Sequence, residues 1–157
     1  AVEINNIFYR MPKRSVLTDW ASKVPDDFSF VLKASRKITH FKRLKDTQDE
    51  LGYLVDVSSE LGARLGPMLF QLPPNMKIDV ERLRDFVSLF PAGLRTAFEF
   101  RHDSWFADDT YTLLSDAGVA LVHADTGADE PAEVVATAPY GYLRLRRDDY
   151  DPGDVAR

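Results

Sequence analysis

Short apolar runs alternate with stretches of helical periodicity from one end of the chain to the other. The runs at residues 2–5, 28–33, 67–72, 95–100, 119–124 and 140–145 read as strands. The stretches at 13–23, 48–65, 79–90 and 108–117 read as amphipathic helices. In the second of these, Leu51, Leu54, Val55 and Leu61 keep the spacing of a face packed on a sheet. Asp79 is placed to cap its helix, and Gly118 to end the last one. The segment between 124 and 140, with Asp125-Thr126-Gly127 and Pro131, reads as a loop with at most a short helix. Asp151-Pro152-Gly153-Asp154 reads as a turn into a further helix.

Repeated β-α-β units imply a parallel sheet with right-handed crossovers. Parity along the strands then separates an open sheet from a closed one. Val2 and Ile4, Phe30 and Leu32, Met68 and Phe70, Phe98 and Phe100, Ala120 and Val122, and Leu143 and Leu145 suit packing under helices. The other parity turns polar towards the strand ends, with Glu3 and Asn5, Lys33, Gln71, Glu99 and Arg101, His123 and Asp125, and Tyr142, Arg144 and Arg146. An open doubly wound sheet keeps both faces apolar, so converging polar ends point to a barrel mouth. The expectation is an α/β fold, a (β/α)8 TIM barrel whose site lies at the C-terminal strand ends. Six of the eight β/α units are present, so a first and a last strand are expected to be missing, in one partial domain over 1–157. Ala1-Val2-Glu3-Ile4-Asn5 reads as mid-strand, as if the chain began inside a larger protein without a signal peptide.

Composition narrows the chemistry. The chain has 157 residues, 45% of them hydrophobic and 29% charged, as in ordinary globular domains. A net charge of −5 does not attract nucleic acid or anionic membrane, so anion binding must come from a local cluster. Absence of cysteine excludes disulfides, thiolate nucleophiles, iron–sulfur clusters and thiolate zinc sites, and fits a cytoplasmic protein. No apolar run approaches the roughly 20 residues that span a bilayer, so no membrane partner is expected.

Several of these residues stand in recognisable blocks. Glu3-Ile4-Asn5-Asn6-Ile7-Phe8-Tyr9-Arg10 resembles E-I-N-x-T-F-Y-R of the YecE-like family, domain of unknown function 72. Lys33-Ala34-Ser35-Arg36-Lys37-Ile38-Thr39-His40 resembles its K-x-x-R-x-I-T-H block. Gly66-Pro67-Met68-Leu69-Phe70-Gln71-Leu72-Pro73-Pro74 resembles G-P-x-L-x-Q-L-P-P, and Glu99-Phe100-Arg101-His102-Asp103-Ser104-Trp105-Phe106 resembles E-F-R-H-x-S-W-F. Asp125 follows the next strand, and Tyr142-Leu143-Arg144-Leu145 resembles Y-x-R-L. The chain departs at Ile7, where the family usually has Thr or Ser, and at Arg146-Arg147, where it usually has His-Gly. The resemblance implies a barrel with one more strand upstream and one downstream, and no settled reaction. It also implies a fold similar to endonuclease IV, which raises nucleic-acid binding by analogy alone.

Three constellations carry possible chemistry. Lys33, Arg36, Lys37, Lys42, Arg43 and Lys45 form a basic stretch, which Arg10, Arg101 and Arg144 join from other strand ends. Such groups hold phosphate or carboxylate, or else form structural ion pairs with Glu3, Glu99 and Asp125. Those three carboxylates, with His40 and His102 on adjoining loops, could serve as general acid and base, or as a charge-balanced ring. His102 could equally cap the loop that follows it. The same side chains are metal-ligand types, but the nearby cations disfavour a divalent ion and no ligand motif is present, so no metal is expected. Phe8, Tyr9, Trp105, Phe106 and Tyr142 border the mouth in this reading and could stack on a base or sugar, or form core. No phosphate-cradling glycine loop, serine elbow or dinucleotide fingerprint occurs, so no cofactor is implied.

The leading expectation is an enzyme acting on a small anionic substrate, phosphorylated or carboxylated. Lys33, Arg101 and Arg144 would hold the anion, with Asn5, Tyr9, Arg36, Gln71, His102 and Trp105 completing the ligand site. Glu99 and Asp125, with Glu3 or His40, would transfer protons. The competing expectation is a nucleic-acid-binding protein or nuclease relative using the basic stretch and the aromatics. A third is a catalytically silent barrel that binds a metabolite or a protein.

Overall fold

Side chains of alternate parity along the strands sort into two separate cores. One gathers Leu32, Met68, Phe70, Phe98 and Leu121 with the helix residues Leu17, Leu54, Leu83 and Leu114. The other holds only Val31, Leu69, Ala97, Ala120 and Val122, with Tyr140 and Tyr142 packed against it. The first is the helix-covered outer face and the second is a small inner core. The computed structural model describes residues 1–125 and 134–145.

The elements run β1 (Val2–Ile4), α1 (Arg14–Ser22), β2 (Phe30–Lys33), α2 (Gln48–Ser58), β3 (Leu65–Gln71), α3 (Val80–Val87), β4 (Thr96–Glu99), α4 (Asp108–Asp116), β5 (Ala120–Asp125) and β6 (Tyr142–Leu145). The strands form one parallel sheet in sequential order from β1 to β6. Side chains of β6 bond to Glu3 of β1, across the four strands that separate them in that order, so the sheet curls into a half-barrel. The start of the further helix expected at 151–154, and Arg146, lie outside the described residues, as does 126–133 of the expected loop. Residues 134–141 have no helix or strand. No helix among the described residues is long and apolar enough to cross a membrane.

Local chemistry explains the element ends. The Asp79 carboxylate accepts from the Arg82 amide at 3.0 Å and caps α3. Gly118, at φ 64°, turns the chain out of α4. The helix expected over 48–65 stops at Ser58 and continues as a tight 3₁₀ stretch, Ser59–Arg64. Ser58 and Ser59 donate back to the Val55 and Asp56 carbonyls at 2.8 and 2.6 Å, competing with the helical ladder. Gly62, at φ 52° and ψ −129°, then redirects the chain into β3. At Gly66 a Cβ would lie 2.9 Å from the Phe30 carbonyl oxygen, so only glycine lets β3 approach β2 at their register shift.

One parity assignment is corrected. Ala120 and Val122 face the inner core, and Leu121 packs on the helix side. The β4–β5 register explains this, because it pairs small Ala97 with Ala120 and bulky Phe98 with Leu121. His123 therefore shares the outer parity, where a ring nitrogen bonds the Val135 carbonyl at 3.2 Å. Asp125 falls in the same row, in register with Leu145 rather than with Arg144.

Candidate functional site

Three inner strands end on buried polar side chains, namely Lys33 on β2, Gln71 on β3 and Glu99 on β4. Water cannot satisfy such groups there, so they must find partners within the protein. Arg144 of β6 supplies one. Its Nη2 lies 2.7 Å from Glu3 Oε1, and its Nη1 donates to Glu99 Oε2. Gln71 Nε2 donates to the same Glu99 oxygen at 3.0 Å, and the Tyr142 hydroxyl donates to Glu3 Oε2 at 2.6 Å.

Electrostatics set the charge states of Glu3, Arg144 and Tyr142. Burial alone would raise the Glu3 pKa, but the Tyr142 hydroxyl, Arg144 and the Asn5 side chain outweigh it and hold the carboxyl below its ordinary range. Burial opposes the Arg144 charge, yet Glu99 and Glu3 push its pKa up. Burial and the neighbouring Glu3 raise the Tyr142 phenol, which stays a protonated donor. Both ends of the Arg144 guanidinium rest on carboxylates, the ion pairing that the sequence leaves open beside a ligand role.

A second group forms on the rim around His40. The chain after β2 winds into one wide π turn, Lys37–Phe41, closed by Lys42 N–H donating to the Lys37 carbonyl at 3.0 Å. Just beyond it Arg43, Leu44 and Asp46 take φ of 49°, 68° and 51°, left-handed values that cost a side-chain-bearing residue energy. π turns and strained backbone both concentrate at functional sites. The His40 ring stands edge-on to Phe8 at 5.0 Å, and Lys33 Nζ lies 4.4 Å from the centre of that same Phe8 ring. Burial first, then Lys33, Arg101, Arg43 and Arg36, lower the His40 pKa below 6.5. Thr39 Oγ1 lies 2.8 Å from His40 Nδ1 and fixes the ring's orientation.

Around this centre the cations are held differently. Arg36 packs between two rings, 5.3 Å from Tyr9 and 5.2 Å from Phe41. Arg43 donates to Asn75 Oδ1 at 3.2 Å, and Arg101 is exposed just past β4. Lys37 and Lys42 instead bind Glu50 at 2.7 and 2.8 Å, pulling its pKa down to about 2. The basic stretch is thus partly consumed by an internal ion pair.

The structure therefore gathers Glu3, Asn5, Gln71, Glu99 and Arg144 in one group, and Lys33, His40, Arg36, Tyr9 and Arg101 around the other. Three expected site residues stand elsewhere. Trp105 is fully buried, stacked on Phe100 at 4.7 Å, with its indole N–H donating to the Met76 carbonyl at 2.7 Å. Its place is the core, not the ligand surface. His102 Nδ1 accepts from the Ser104 amide at 3.2 Å and caps a short 3₁₀ turn. Asp125 belongs to the outer parity. Sequence reasoning missed Thr39 and Phe41, although Thr39 lies within the block that ends at His40 and Phe41 directly follows it. It also left Tyr142 as a bordering aromatic, where the geometry makes it the donor that fixes Glu3. Among the described residues, no group of three or more His, Asp and Glu is arranged to hold a metal ion.

The family model described as "Protein of unknown function DUF72" matches residues 1–156. The UPF0759 protein YecE of Escherichia coli strain K12 is 30% identical over 107 residues, 68% of this chain and 39% of that protein. A DUF72 family protein of Thermotoga maritima superposes with a TM-score of 0.73 at 28% identity, over 94% of this chain and 60% of that one. One from Enterococcus faecalis superposes with a TM-score of 0.76 at 19% identity, over 92% of this chain and 58% of that one. The aligned chain spans only 39% of the length of the curated relative it matches.

Proposed function

Because the chain belongs to the DUF72 family, whose name carries no reaction, we propose a function from the mouth itself: it binds a small anionic substrate, phosphorylated or carboxylated, and His40 transfers a proton there. The observation that carries this reading is the gathering of Lys33, Arg101, Arg43 and Arg36 about one half-buried histidine. Like charges brought together repel, and a bound anion relieves that repulsion. Guanidinium groups suit phosphate and carboxylate oxygens, and a lysine adds a compact point charge. The same anion would raise the depressed His40 pKa towards neutrality, the range in which an imidazole works as acid or base. Glu3 and Glu99 join the proposal as acceptors positioned by Arg144, and Asp125 has no part in it.

We also propose that the curled sheet is the larger part of a (β/α)8 barrel in the whole protein. The side-chain contacts between β1 and β6 and the greater length of the relatives support this. A cytoplasmic location belongs to the same proposal and is supported by the cysteine-free composition. A nucleic-acid track along 33–45 has less support, because Lys37 and Lys42 are engaged by Glu50 and the net charge is −5.

Titration calorimetry on the full protein tests the proposal, using orthophosphate, sugar phosphates, small carboxylates and a short DNA duplex. The expected result is binding of a small anion with shallow salt dependence, weakened about tenfold or more in Arg101→Ala and Lys33→Met. Duplex binding with a log–log salt slope of roughly −0.9 per phosphate would transfer the site to nucleic acid. Absence of binding to any of them would remove the anion reading.

A further inference from the structure

Two of the most exposed large hydrophobic side chains among the described residues flank a single cation. Tyr9 is 69% exposed and Phe41 68%. Lone exposed aromatics need no explanation, but these two come from different elements and meet the same guanidinium. Tyr9 follows the short turn after β1, and Phe41 ends the π turn after β2. Arg36 lies between them, 5.3 and 5.2 Å from their ring centres. The guanidinium is planar and weakly hydrated, so beside two exposed rings it adds a further surface on which a flat group can stack.

Resting on the anion reading above, we infer that the substrate carries a flat ring, as a nucleoside monophosphate does, stacked at Tyr9, Arg36 and Phe41 while its phosphate meets Lys33 and Arg101. Phe8 ties the two halves together. Its ring meets Tyr9 edge-on at 5.1 Å on one side and carries Lys33 Nζ at 4.4 Å and His40 at 5.0 Å. The stacking surface and the cations are thus one side chain apart, the arrangement a single nucleotide needs to place base and phosphate together. A plain carboxylate or inorganic phosphate would use the cations and leave the rings bare. A sugar phosphate has no π system to stack on a guanidinium. A long strand would need a continuous basic track, which Glu50 interrupts by binding Lys37 and Lys42.

The test compares adenosine 5′-phosphate, ribose 5-phosphate, orthophosphate and a ten-nucleotide single strand by calorimetry. The full protein is used as wild type, Tyr9→Leu, Phe41→Leu and Arg101→Ala. Both ring changes are at exposed positions, and circular dichroism verifies the fold. The inference expects adenosine 5′-phosphate to bind about tenfold or more tighter than ribose 5-phosphate. Tyr9→Leu and Phe41→Leu should each reduce that advantage without weakening ribose 5-phosphate, whereas Arg101→Ala should weaken both compounds. Equal affinity for the two compounds overturns the ring and leaves the anion site standing. No binding of any compound overturns the anion site and the ring together. Binding confined to the single strand, and fading steeply with salt, overturns the small-ligand form.

Discussion

Arg144 of β6 places Nη2 2.7 Å from Glu3 Oε1 on β1, so the first and last described strands meet through side chains above the inner core. The two strands stand at opposite ends of the sheet order. The same guanidinium bonds Glu99 of β4, and all three side chains are largely shielded, at 12%, 21% and 3% exposure for Arg144, Glu3 and Glu99. One residue therefore sets the curl of the sheet and holds two carboxylates in place.

Replacing Arg144 by Met takes the guanidinium away from both carboxylates, leaving Glu3 with Tyr142 and Glu99 with Gln71 as neutral hydrogen-bond donors. Removing one partner of a buried pair costs about 3–5 kcal/mol, and partial exposure of Glu3 puts this case near the lower end. Urea denaturation of the full protein should show the loss. Arg144→Met combined with Glu99→Gln should recover part of it, because only the Glu3 charge has then lost the guanidinium.

Acid stability should carry the signature of Glu3. Its folded pKa lies below 4.5, so the unfolded chain binds the proton first as pH falls. The stabilisation is complete above about 4.5 and is lost as pH drops through the folded value. Glu3→Gln should flatten that acid slope. Tyr142→Phe removes a hydrogen bond to the carboxylate, brings the folded pKa nearer 4.5, and should make the acid loss smaller and end it at a higher pH, read from unfolding midpoints at successive pH values.

Two glycines should respond oppositely to alanine. At Gly66 the new Cβ would lie 2.6 Å from Ser29 Oγ and 2.9 Å from the Phe30 carbonyl oxygen. Backbone must shift, at a cost of about 1–3 kcal/mol. At Gly52, within α2, a Cβ meets nothing within 4 Å. Gly52→Ala should stabilise by roughly 0.5–1 kcal/mol through lower backbone entropy in the unfolded chain. Chemical denaturation of both variants verifies the pair of signs.

The alternation of strands and helices was legible because each element carries its period in its own residues. The polar ends at Lys33, Gln71, Glu99 and Arg144 were legible for the same reason, and all four fall on the inner parity or its mouth. What failed was β5, where polarity pointed His123 and Asp125 inward. Size decided instead. The narrow inner core takes Ala120 and Val122, while Leu121 fills the helix side and a loop carbonyl satisfies His123. Trp105 is open in the sequence between a stacking surface and core, and its enclosure by Phe100 and the Met76 carbonyl selects core. The break after Ser58 depends on serine side-chain bonds and a left-handed Gly62, which an apolar spacing does not reveal. Partner choice was also hidden. Arg144 could have faced a ligand, and only the fold shows it between Glu3 and Glu99.

The cations around His40 form the proposed anion site. It is tested most directly by an NMR titration of the imidazole in the full protein, with His40→Gln to assign its signal among the three histidines of this chain. The account predicts a pKa below 6.5 in the free protein, lowered by burial and by Lys33, Arg101, Arg43 and Arg36. Saturating phosphate should move it upward, and Arg101→Ala should raise the free value and blunt the phosphate effect. A His40 that titrates at or above 6.5 and ignores phosphate would contradict the account.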